Sequence, residues 1–142
     1  MLRPSLRWLP AVLWMAFIFA LSTGLGSAEH TARFIGPFLH WLLPHAAPET
    51  IAWLHFLIRK AGHFTEYAIL ALLLRRALGP GGGKALGLAL LLAAVYAATD
   101  EFHQSFVPGR TASLGDVLID ITGAFVALAV AAAWQKWRMP AA

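Results

Sequence analysis

Apolar residues fall along this chain in four long runs separated by short polar, glycine or proline stretches. The first run, Trp8–Leu21, follows Arg3 and Arg7 and can extend through Leu25. The second, Ala61–Leu74, stops at Arg75-Arg76, and Gly79-Pro80-Gly81-Gly82-Gly83 after it is the strongest turn signal in the sequence. Ala85–Thr99 forms the third run, closed by the polar stretch Asp100–Arg110 with its Pro108-Gly109 turn. The fourth, Val117–Trp134, ends at Lys136 and Arg138, and Pro140 follows. Each run approaches the roughly 17–25 residues that a transmembrane helix needs. Residues 26–59 break the pattern, because Pro37, Pro44 and Pro48 punctuate aromatic clusters at Phe34, Phe38, Trp41, Trp53 and Phe56. Aromatic segments with interspersed histidines suit the membrane–water interface. The expectation is therefore an all-α membrane protein of about four transmembrane helices, with short interfacial helices between the first and second spans. Alternatively, the chain from Ile51 onward continues into the second span.

Composition agrees with that reading. Of the 142 residues, 59% are hydrophobic and only 13% charged, about half the charge of an ordinary soluble domain. The length allows one transmembrane domain over residues 1–142. Gly26-Ser27-Ala28 has the form of a small-residue cleavage site, so a signal-peptide reading of the first run competes. The membrane-like character of the remaining chain favours a span. There is no cysteine, which excludes disulfides, thiol catalysis and thiolate metal sites. The net charge of +4 is carried by basic residues placed singly or in pairs beside apolar runs. Such scatter is not the continuous basic stripe of a nucleic-acid binder.

Four spans would place both termini and residues 75–84 on one side of the bilayer. That side carries Arg3, Arg7, Arg75, Arg76, Lys84, Lys136 and Arg138 and no acidic residue. The other carries Arg33, Arg59, Lys60 and Arg110 together with all seven acidic residues and all six histidines. Lys and Arg in short loops mark the cytoplasm, so both termini are expected inside the cell and the acidic end outside.

Three segments gather ionisable groups at this outer end. In the first, His63, Glu66 and Tyr67 share one helical face, with Lys60 one turn earlier. Glu66 lies nine residues before Arg75, about 13 Å at roughly 1.5 Å per residue, and a carboxyl at such depth needs a partner or a water-filled cavity. In the second, Asp100, His103 and Gln104 share a face while Glu101 turns away by about 100°. In the third, Ser113 and Asp116 have the spacing of a capping box. Asp116 and Asp120 then stack along the fourth span, with Gly123 allowing close helix approach. Each group has a plainer employment: Lys60 as a snorkelling lysine, Asp116 as a helix-start carboxylate, the rest as a polar network joining helices. Small and apolar residues pack helices without such a network, which shifts weight toward a ligand or active site.

These segments resemble those of VanZ-like membrane proteins. The likeness is carried by Lys60-x-x-His63-Phe64-x-Glu66-Tyr67, by Asp100-Glu101-Phe102-His103-Gln104-x-Phe106-Val107-Pro108-Gly109-Arg110, and by Ser113-x-x-Asp116-Val117 with Gly123. It extends from about Leu13 to Trp134. It implies a handful of transmembrane helices in the cell membrane and, for the name-giving member, a link to glycopeptide (teicoplanin) resistance. Family members often carry Asn where this chain has Asp120, so a neutral amide is replaced here by an acceptor-only carboxylate.

Two functions compete. In the first, an outward polar site binds an amphiphilic or lipid-linked anionic ligand, with Lys60, Tyr67, Glu101, Gln104, Arg110 and Asp116 as candidate contacts. The partners would be membrane lipids, a lipid-linked envelope precursor or an amphiphilic antibiotic. In the second, a membrane-embedded hydrolase or transferase acts on lipid-linked envelope intermediates, with His63, Glu66, Asp100 and His103 as acids, bases or ligands. The pairs His63/Glu66 and Asp100/His103 suit zinc by residue type, yet neither segment supplies three ligands, so no metal is assigned. The sequence names no cofactor.

Overall fold

The computed structural model describes residues 4–138; Arg3 and Pro140, used above to set charge and helix end, lie outside them. The described residues form five α-helices and no strand: α1 Pro4–Ser22, α2 Ala28–Leu42, α3 Pro48–Leu78, α4 Gly82–Gln104 and α5 Leu114–Arg138, with a single 3₁₀ turn at Gly24–Gly26. The protein is an all-α membrane protein. Helices α4 and α5 are long and apolar enough to cross a bilayer, and α1 with α2, bent by 67°, counts as a third span if the pair is taken together. Helix α3 has ample length, but Arg59, Lys60 and Glu66 interrupt its apolar run. Together these helices agree roughly with the expected four spans.

Local chemistry explains the boundaries. Ser27 caps α2 by accepting a hydrogen bond from the His30 backbone N–H at 3.2 Å. Pro48 opens α3 in its first turn, where the missing N–H is harmless. Arg75 and Arg76 in its last turn complement the helix dipole. Gly79, at φ 75°, then ends the helix in a conformation that glycine adopts freely. The aromatic segment divides between a separate helix, α2, and the first part of α3. Nothing between Ile51 and Ala61 breaks the helix, so the second span and the segment before it are one continuous element of 31 residues.

The core lies where α3 packs against α1, α4 and α5. Tyr67, Leu70, Ala71 and Leu74 of α3 face Ala11 and Ile18 of α1 and Ala124 and Leu128 of α5. Helix α4 contributes Ala85, Ala89, Ala93 and Ala97, four buried alanines four residues apart. Such a ridge lets neighbouring backbones approach closely, which drives packing where lipid removes the hydrophobic incentive. Gly123 of α5 serves the same end, since a Cβ there would collide with the Phe64 carbonyl of α3. Two cross-helix hydrogen bonds tie α1 in: Trp14 Nε1–H donates to the Glu66 carbonyl at 2.9 Å and Tyr96 O–H to the Met15 carbonyl at 2.7 Å. Leu88, Leu91 and Val95 of α4 and Leu118, Phe125 and Val130 of α5 face outward, as lipid-facing positions do. Phe34, Phe38 and Trp41 of α2 are likewise exposed.

Candidate functional site

All three polar segments meet at one end of the bundle. The end of α1, the middle of α3, the end of α4, the 105–113 loop and the start of α5 come together there. Two cavities open among them. The first, about 190 Å³, has an apolar side built from Ile18, Leu21, Ile35 and Ile58 and a polar side built from Glu66 and Asp100. The second, about 160 Å³, is bounded by Phe56, Lys60, Thr111 and Asp116. Arg59, His63, Gln104 and Arg110 line both.

Each carboxylate has a distinct setting. Lys60 Nζ forms an ion pair with Asp116 Oδ1, and the Lys60 ammonium also lies 5.0 Å from the centroid of the Phe56 ring. His63 Nδ1 stands 3.3 Å from Asp120 Oδ1, close enough to pair electrostatically though without hydrogen-bond alignment. Asp120 is 1% exposed, so His63 is its only ion-pair partner among the described residues. Asp100 Oδ2 accepts from the Gln104 side-chain amide at 3.0 Å. The Glu66 side chain reaches the first cavity one turn below His63.

Glu101 has a different employment from its neighbours. Its Oε1 accepts the Ser113 backbone N–H at 2.5 Å. The spacing of Ser113 and Asp116 suggested a reciprocal capping box, and the structure corrects it. Ser113 Oγ accepts from the Gly115 N–H at 3.1 Å, while Asp116, drawn to Lys60, is replaced as acceptor by Glu101 from another helix. Glu101 is thereby buried and fixes the start of α5 on the end of α4.

Arg110 is a candidate ligand contact by sequence. Its Nη2 donates to the Leu21 backbone carbonyl at the end of α1, and its buried Nε has no partner. Gly26 makes room for this contact, because a Cβ there would meet both the Leu21 carbonyl and the guanidinium. Among the described residues neither Arg110 nor Arg59 lies within ion-pair distance of a carboxylate. Burial, and next the positive charge of Arg59, pull the Arg110 pKa below its ordinary value. The charges of Asp100, Glu101 and Glu66 oppose that shift, and both guanidinium groups stand at the junction of the two cavities.

Of the candidates named from sequence, His63, Glu66, Asp100, Gln104 and Arg110 line the first cavity, and Lys60 and Asp116 the second. His103, Glu101 and Tyr67 line neither. His103 Nδ1 lies 3.3 Å from Ser22 Oγ, with its ring stacked at a tilt on Phe19. Tyr67 is fully buried in the core with its hydroxyl unpartnered. The sequence reading passed over Arg59 and left Asp120 without a partner. The signal for Asp120 was present: it lies four residues after Asp116 on a face already carrying polar groups. Arg59 sat in a pair with Lys60 that reads as an interfacial anchor. Among the described residues no group of three or more His, Asp or Glu side chains is placed to hold a metal ion.

Comparison with known proteins gives a family. The sequence model of the family described as VanZ/LLP1 matches residues 7–135, nearly the whole chain. No curated protein and no solved structure matches.

Proposed function

This chain belongs to the VanZ/LLP1 family, and from that premise we propose that it is a multi-pass envelope protein whose outward-facing cavities bind the anionic group of an amphiphilic or lipid-linked ligand. The observation that carries the reading is the pair Arg59 and Arg110. Both line both cavities, and neither is neutralised by a carboxylate within ion-pair distance among the described residues. Two positive charges on the walls of both cavities can take an anion between them, and planar guanidinium groups match phosphate and carboxylate geometry. Lys60, by contrast, already has Asp116. The charge partition of the loops supports the orientation, with termini cytoplasmic and the cavities on the outer side.

Binding of phosphatidylglycerol to the purified, detergent-solubilised protein, followed by native mass spectrometry, tests the anion site. Arg59→Gln and Arg110→Gln should each weaken it by about tenfold, the effect of losing one charge-assisted contact. Unchanged affinity in both folded variants would remove the basis of the proposal. At the level of the cell, the family link makes glycopeptide susceptibility of a deletion strain the phenotype to measure.

A second reading is favoured by one contact. Asp120 Oδ1, 3.3 Å from His63 Nδ1, sets a carboxylate against an imidazole that lines both cavities, a pairing of groups used in proton transfer, and Glu66 lies on the same cavity wall. A membrane-embedded enzyme for lipid-linked intermediates would use these groups. Release of a chemically altered lipid during incubation, abolished by His63→Gln, separates catalysis from binding.

A further inference from the structure

The two cavities differ in character, and the same four side chains divide them. On one side of Arg59, His63, Gln104 and Arg110 the wall is largely apolar, Ile18, Leu21, Ile35 and Ile58, with Glu66 and Asp100 on its polar side. On the other the wall is Lys60, Thr111 and Asp116, with Phe56. At about 190 and 160 Å³, each falls short of the roughly 300 Å³ at which a pocket begins to hold a drug-sized ligand whole. Each cavity therefore suits one portion of a larger molecule. The divider supplies the two guanidinium groups and one amide, a donor set for an anion. Beyond it, the Lys60–Asp116 pair offers a donor and an acceptor within one small volume, and the Thr111 hydroxyl adds either.

Resting on the anion site proposed above, we infer that the ligand is a phosphodiester lipid: an anion flanked by a hydrocarbon portion on one side and an uncharged, hydrogen-bonding substituent on the other. A fatty acid or a simple phosphate monoester would leave the polar cavity without a matching group. A free sugar or polyol phosphate would leave the apolar wall of Ile18, Leu21, Ile35 and Ile58 uncovered. A diester spans the divider, with its apolar ester arm against Ile18, Leu21, Ile35 and Ile58 and its polar arm against Lys60, Thr111 and Asp116.

Three lipids with identical acyl chains separate the contributions: diacylglycerol, phosphatidylmethanol and phosphatidylglycerol. The last two carry the same single charge and differ only in the hydroxyl-bearing arm. Competition against a fluorescent phosphatidylglycerol on the full-length protein in detergent reads their relative affinities. Phosphatidylglycerol should bind about tenfold tighter than phosphatidylmethanol, as one or two net hydrogen bonds allow, and diacylglycerol should be weakest. Equal affinity of the two phosphodiesters, each weakened by Arg59→Gln, would overturn the inference and leave the anion site standing. Diacylglycerol competing as well as either would overturn both. In the wild-type protein these comparisons need no variant to fold.

Discussion

Asp120 is buried against the partly buried His63, its one ion-pair partner among the described residues, and that fixes what happens when the histidine is removed. His63→Ala leaves the Asp120 carboxylate unpaired at 1% exposure, which should cost about 3 kcal/mol. Adding Asp120→Asn removes the stranded charge, so the double variant should regain much of that loss in thermal unfolding in detergent. A fully additive cycle would mean the two groups do not interact. Arg110→Lys makes a different point. A lysine can still donate to the Leu21 carbonyl, so stability should change by less than about 1 kcal/mol. The planar fork is lost, and phosphodiester affinity should fall by about tenfold. A folded Arg110→Lys protein with undiminished lipid affinity would show that Arg110 serves only to tie α1 to the loop. Residue types and helical spacing were enough to single out the ionisable residues of the cavity walls other than Arg59. They could not say that Glu101 would cap α5 or that Lys60 would be held by Asp116. Both depend on which helices become neighbours, and side-chain period within one helix carries no information about that.

Helix α4 shows where the element scale was and was not legible. Its apolar length was plain, but alanine occurs around the helix, so composition did not reveal which alanines face the core. Packing selects Ala85, Ala89, Ala93 and Ala97 and leaves Ala94 and Ala98 off that ridge. Ala93→Leu should therefore destabilise by about 1–3 kcal/mol through overpacking. Ala98→Leu should be nearly neutral in the same thermal measurement. If the two behave alike, the ridge is not the packing face. Gly123→Ala places a methyl against the Phe64 carbonyl and should push α5 from α3, lowering stability by a similar amount. The continuity of α3 was left open by the sequence because Arg59-Lys60 and the aromatic residues before them read equally well as an interfacial helix or as the start of a span. The structure joins the two because every residue there supports helical geometry and no proline intervenes after Pro48.

The arrangement of the whole molecule follows from the same charges that build its site. Because the chain lacks cysteine, single introduced thiols report sidedness without background. Ser105→Cys should react with a membrane-impermeant maleimide on intact cells, and Gly83→Cys only after permeabilisation. The reverse pattern would invert the proposed topology and place the cavities inside. Helix α3 sets the scale of the molecule against its surroundings. Between Lys60 and Arg75 it offers about 22 Å of helix at roughly 1.5 Å per residue, whereas hydrocarbon is about 30 Å thick. A bilayer meets such a helix by thinning around it, or by stretching the charged side chains toward water. Long acyl chains would then load the bundle at the end that carries the cavities, and short ones would relieve it. Affinity for the proposed phosphodiester, measured in vesicles of graded chain length, should decline as the membrane thickens, making the protein a gauge of the layer around it.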